Sequence, residues 1–164
     1  MLMRRSKIAV IGLGNRLLAD EGAGLHAIDL LCEKLRPGQD LDLVEAGTPG
    51  MNLLHQFDER EKIIFIDAGN CGMKPGEYRR FVPGDVISRK KSPHYSLHEF
   101  DLVEFLEFAR QMGMTKKIEV VIYCIQAAEM KMSQQLSAVV KKKLPRLVED
   151  VYREVKEGRE LVEE

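Results

Sequence analysis

Short, unbroken apolar runs alternate with stretches of helical periodicity along this chain. Strands covered on both faces show no polar alternation, and Ile8 to Leu13, Leu41 to Glu45, Ile63 to Ile66 and Ile118 to Ile125 all have that form. Between them, Leu25, Ile28, Leu31, Cys32 and Leu35 recur at helical spacing until Arg36-Pro37-Gly38 stops the run. Thr48 as N-cap and Pro49 at the first helical position predict a short second helix that turns Met51, Leu54 and Phe57 inward. Ser96-Leu97-His98-Glu99 reads as a capping box, opening a helix that buries Phe100, Val103, Leu106 and Ala109. A last helix is expected from about Ser133, with Leu136, Val140, Leu144, Leu147 and Val151 on its stripe. Pro145 should kink or split it, and residues 156–164 should fray. After the Pro75-Gly76 turn, Tyr78 to Val82 reads as an edge strand of antiparallel sense. The alternation predicts one α/β domain over residues 1–164, a sheet with helices on both faces.

Composition narrows the function. The 164 residues carry 25 Lys+Arg against 26 Asp+Glu, a net charge of -1 that offers no basic field to nucleic acid or anionic lipid. No run approaches the roughly 20 apolar residues that membrane insertion needs. The apolar stretch behind Arg4, Arg5 and Lys7 meets Asn15 and Arg16 without a cleavage site, so it reads as a buried strand. Cys32, Cys71 and Cys124 form no CxxC pair and read as the reduced thiols of a cytoplasmic protein. The eight methionines read as core packing.

The first three strands each run into a loop of glycines and polar residues: Gly12-Leu13-Gly14-Asn15, Ala46-Gly47-Thr48-Pro49-Gly50 and Asp67-Ala68-Gly69-Asn70. Parallel strands bring such loops to one edge, and ligands bind at that edge where the strand order reverses, which neighbouring first and third strands would create. Glu21 and Asp67 would face that crevice. Asp20 is placed to cap the first helix, with Glu21 in its first turn. Gly22 and Gly24 in the same turn fit two accounts, a large ligand docking there or the helix start packing tightly on the sheet. A dinucleotide fingerprint beginning at Gly12 fails at Leu17, and Asp20 and Glu21 would repel a phosphate. Of the histidines, His26 lies about 140° around the helix from Glu21 and His55 reads as surface. His94 follows Ser92-Pro93 in a loop from which it could reach the crevice, with His98 close behind.

From Lys7 to about Val155 these motifs, in this order, resemble those of the [NiFe]-hydrogenase maturation endopeptidases. Gly12-Leu13-Gly14-Asn15-Arg16-Leu17-Leu18-Ala19-Asp20-Glu21-Gly22-Ala23-Gly24 is similar to that family's G-x-G-N-x-L-x-x-D-E/D-G-x-G signature, and Ala46 to Met51, Ile66-Asp67-Ala68 and Ser92-Pro93-His94 follow where its other motifs fall. The resemblance implies a three-layer α/β/α sandwich whose twisted five-stranded sheet is mixed, mostly parallel, with one antiparallel strand. It implies a protease that removes the C-terminal extension of a hydrogenase large-subunit precursor after nickel insertion, with Glu21, Asp67 and His94 as metal-contacting and catalytic residues. Nickel would be either resident or supplied by the substrate. Glu45, Gly47 and Thr48 fall at the family's substrate-reading motif, and Glu45 departs from it, since many members carry aspartate there. A longer acid at that position would change which precursor is accepted.

Two carboxylates and an imidazole suit a divalent transition metal, though ligand type alone does not separate nickel from zinc or cadmium. Two other classes compete with the protease. A non-catalytic α/β module that senses or escorts metal would bind nickel and cut nothing. A nucleotide-binding domain would bind NAD or ATP despite Leu17 and the acidic pair.

Overall fold

The computed structural model describes residues 5–35, 40–85 and 97–162, the last of these with side chains from 102 to 158. Five strands, β1 (Ile8–Leu13), β2 (Leu41–Gly47), β3 (Lys62–Gly69), β4 (Tyr78–Phe81) and β5 (Glu119–Gln126), form one sheet in the order β2-β1-β3-β5-β4. β1 lies parallel to β2 and β3, and β3 parallel to β5, while β4 runs antiparallel to β5 at the edge. Three of the four continuous apolar runs are thus central strands, the fourth, Leu41 to Glu45, falls in the edge strand β2, and the reading of Tyr78 onward as an antiparallel edge holds.

Successive residues of β1 feed opposite cores. Ile8 and Val10 pack with helix α1 (Ala23–Lys34) and helix α3 (Ala138–Val162), whereas Ala9, Ile11 and Leu13 pack with helix α2 (Leu97–Gln111) and the 3-10 segment Met51–Phe57. The result is three layers, helix on sheet on helix. On α2, Val103, Leu106 and Ala109 are buried as expected, and Ser96 of the capping box lies outside the described residues.

Several local expectations are corrected. Gly50, in extended backbone, precedes the segment after β2 in place of Thr48, and the segment is 3-10 from Met51; Leu53 and Phe57 turn inward while Met51 stays 65% exposed. The last helix begins at Ala138 rather than Ser133, whose backbone instead forms a parallel bridge with Leu18. It continues through Pro145 as one helix, with Val140 and Leu144 buried before the proline and Leu147, Val148 and Val151 after it. Nor does it end at Lys156. Val155 is fully buried and Glu154 accepts hydrogen bonds from Arg80 and Tyr123 and an ion pair from Lys62, which ties the last turns of α3 to the sheet. Burial opposes ionisation of Glu154, yet those three partners hold its pKa down to about 2.

Candidate functional site at the carboxyl edge of the sheet

β1 sits between β2 and β3, so the chain leaves toward β2 on one side and returns to β3 on the other. This is the reversal at which α/β sheets form a crevice. Asp67 lies near the carboxyl end of β3 there, 5% exposed, with its Oδ1 accepting the backbone N–H of Ala68 at 2.9 Å. Glu21, also 5% exposed, lies in a 3-10 turn (Ala19–Gly22) that follows β1 and leads directly into α1. Burial, the largest cause, and the neighbouring charge of Glu21 push the Asp67 carboxyl up to about 7, against the stabilising Ala68 N–H. Two acids held in a dry site repel, and a divalent cation between them would reverse the sign of that repulsion. The donor chemistry therefore fits a cation.

Two of the three expected ligands are brought to one place. His94 lies outside the described residues, together with Ser92 and Pro93. Among the described residues no group of three His, Cys, Asp or Glu side chains is arranged to hold a metal. His26 is not drawn in; its Nε2 is buried without a hydrogen-bond partner. His55 is exposed.

The glycines choose between their two accounts. A methyl group on Gly24 would lie 2.3 Å from the carbonyl oxygen of Leu13 and 2.4 Å from that of Ile66, and one on Gly12 would lie 2.4 Å from the Gly24 carbonyl. What approaches this turn is the protein's own backbone: α1 starts in contact with β1 and β3. Gly14, at φ +127°, leaves room for the carbonyl of Glu21, which a methyl would meet at 1.8 Å.

Asp20 is not the cap of α1. Its fully buried carboxylate accepts the backbone N–H groups of Ala128 and Glu129 at 2.8 Å, that of Ser137 at 2.7 Å, and the Ser137 hydroxyl at 2.8 Å. It thus fastens the long connection from β5 to α3 onto the turn that bears Glu21. Those partners are more than 100 residues away, so no local pattern announces the role. Asp20→Asn would present an amide donor to a ring of donors, and a loss of about 2–3 kcal/mol is expected, a drop of roughly 5–10 °C in Tm. Thermal melts measure it. Hydrogen exchange should quicken at residues 128–137 before the rest of the protein.

On the β2 side, Gly47 takes φ +64° and its carbonyl accepts the Gly14 N–H at 2.9 Å, joining the first two loops. Glu45 and Thr48 are exposed. Glu45 pairs with Arg16, a residue that spacing alone did not single out, and Arg16 also grips Asp29 through two contacts of 2.8 and 3.0 Å. The guanidinium holds Asp29 below the usual carboxylate range. Gln126, likewise unremarked in the sequence, closes the other flank: its Oε1 accepts the N–H groups of Cys71 at 2.8 Å and Met73 at 3.2 Å. That fold-back brings Cys71 over β5 and into a disulfide with Cys124, which corrects the reading of reduced thiols; Cys32 is free. Among the described residues, no helix is long and apolar enough to cross a membrane.

Comparison with known proteins agrees with this architecture. The family model described as hydrogenase maturation protease matches residues 25–154. The [NiFe] hydrogenase maturation protease HybD from Thermococcus kodakarensis is 29% identical, with a TM-score of 0.73 over 90% of this chain and 97% of that one. The hydrogenase maturating endopeptidase HybD from E. coli, 24% identical, shares the fold at a TM-score of 0.78 over 93% of each chain. The hydrogenase expression/formation protein HupD of Bradyrhizobium diazoefficiens is 29% identical over 119 residues, 73% of this chain and 62% of that protein. A putative hydrogenase maturation protease of Methanocaldococcus jannaschii is 28% identical over 159 residues, 94% of this chain and 99% of its own. Against the HupD proteins of Bradyrhizobium and Rhizobium leguminosarum, the chain spans 62% and 53% of the relative's length.

Proposed function

Because this chain belongs to the hydrogenase maturation protease family, we propose that it is an endopeptidase that trims the C-terminal extension from the precursor of a [NiFe]-hydrogenase large subunit, acting once nickel is in place. The observation that carries the reading is the pair of buried carboxylates, Glu21 and Asp67, at the reversal point of the sheet. Nickel arrives with the precursor as part of the substrate, and Glu21, Asp67 and His94 are the residues that would contact it. Once bound, the ion supplies a positive charge next to the peptide carbonyl. The protein's part is to hold two acids ready in a dry edge. Whichever of Glu21 and Asp67 is not coordinated at that moment would take a proton from the attacking water and return it to the leaving amine. Glu45, with Gly47 and Thr48, borders this edge on the β2 side and reads the incoming chain, its carboxylate held by Arg16.

This reading makes nickel a checkpoint, since two acids without a cation are a poor electrophilic site. Purified precursor, loaded with nickel or nickel-free, is incubated anaerobically with the protein and weighed by mass spectrometry. The loaded form should lose its C-terminal extension and the nickel-free form should stay whole. A loaded precursor left at full length, across each precursor the organism makes, would favour a metal-binding module that does not cut.

A further inference from the structure

Among the described residues, four of the six methionines do not pack the core: Met51, Met112, Met130 and Met132 are 65%, 63%, 42% and 78% exposed. Two of these, Met130 and Met132, lie in the segment that Asp20 fastens to the turn bearing Glu21. The parallel bridge between Leu18 and Ser133 sets Leu17 alongside Met132, and the Ser133 N–H donates to the Leu17 carbonyl at 2.9 Å. Leu17, 50% exposed, and Met132, 78% exposed, thus stand on neighbouring backbone segments and both reach solvent. Met130, two residues earlier, adds to them.

This apolar group is not a loose loop tip. Asp20 holds residues 128, 129 and 137 through its buried carboxylate, and the Asp20 N–H donates to the Glu129 carbonyl at 3.1 Å. Isolated exposed apolar side chains are ordinary, but a cluster fixed in place at the rim of a site marks a contact surface. Methionine is unbranched and polarizable and fits itself to varied apolar partners. The position decides the occupant. Asp20 and Glu21 are consecutive, so a polypeptide presenting its scissile bond to Glu21 and Asp67 passes over the segment that Asp20 anchors.

We propose that Leu17, Met130 and Met132 form a docking surface for an apolar stretch of the precursor polypeptide, next to the bond that is cut. The assignment rests on the reading of this edge as the place of cleavage. Apolar contact does not depend on nickel, so the nickel-free precursor, which stays uncut, serves as the probe. Biolayer interferometry compares the intact protein with the double variant Leu17→Ser/Met132→Ser, alongside thermal melts. Binding should weaken by about tenfold or more in the variant, with Tm unchanged because both side chains face water. Equal affinity, or no association of precursor with the intact protein, overturns the proposal. So does a concentration-dependent dimer in sedimentation that the variant dissolves, since the surface would then belong to a second copy. Failure of the cleavage reading shows itself separately, as loaded precursor left whole while the affinity loss persists.

Discussion

Asp67→Asn is expected to lower precursor cleavage by about a thousandfold or more and, in the metal-free protein, to raise stability at pH 8. The two effects share one cause. The native carboxyl is 5% exposed and its pKa stands at about 7, so the folded chain holds the proton more tightly than the unfolded chain does. Stability from this group is therefore greatest below about pH 4, falls as the pH rises toward 7, and above that carries the full cost of a buried charge beside Glu21. Asparagine keeps the shape and an oxygen for the Ala68 N–H but bears no charge. Urea titrations at pH 5 and pH 8 should show the variant's advantage widening with pH, on the order of a few kcal/mol. An advantage that is flat in pH would mean that the charge is not buried as described, and wild-type cleavage by the variant would remove Asp67 from the chemistry.

Gly24→Ala should cost more than about 3 kcal/mol, a large share of a typical domain's stability. The added methyl would sit 2.3 and 2.4 Å from the backbone oxygens of Leu13 and Ile66, in strands that are central to the sheet and have no room to withdraw. Gly84→Ala is the matching control, because a methyl there meets nothing within 4 Å, and its effect should stay within about 0.5 kcal/mol. Denaturant midpoints of the two variants, set against the wild type, decide the matter. Equal midpoints would show that α1 can lift from the strands at no cost.

Residues acting through near neighbours were legible in the sequence. The strands announced themselves because β1, β3 and β5 are covered on both faces and carry no polar alternation, and the loops that follow them placed Glu21 and Asp67 at one edge. What escaped was contact across the fold. Asp20 and Glu21 stand side by side and look alike, yet one carboxylate is consumed by backbone donors around residues 128–137 and the other is near enough to Asp67 for its charge to act there. The Cys71–Cys124 bond depends on a fold-back held by Gln126, and the pairing of Arg16 with Glu45 on two adjacent strand exits meeting. Met51 was misplaced because Gly50 delays the turn, and Met132 because its segment pairs with residue 18 rather than starting a helix.

The seating of Gly24 between two strand carbonyls has a thermodynamic corollary. The turn that bears Glu21 and the strand that bears Asp67 form a single preorganised clamp, so bringing two like charges together is accomplished when the chain folds and not when an ion arrives. On the proposed function, a cation reaching this edge would find two carboxylates already assembled, and its charge would offset a repulsion that exists before it comes.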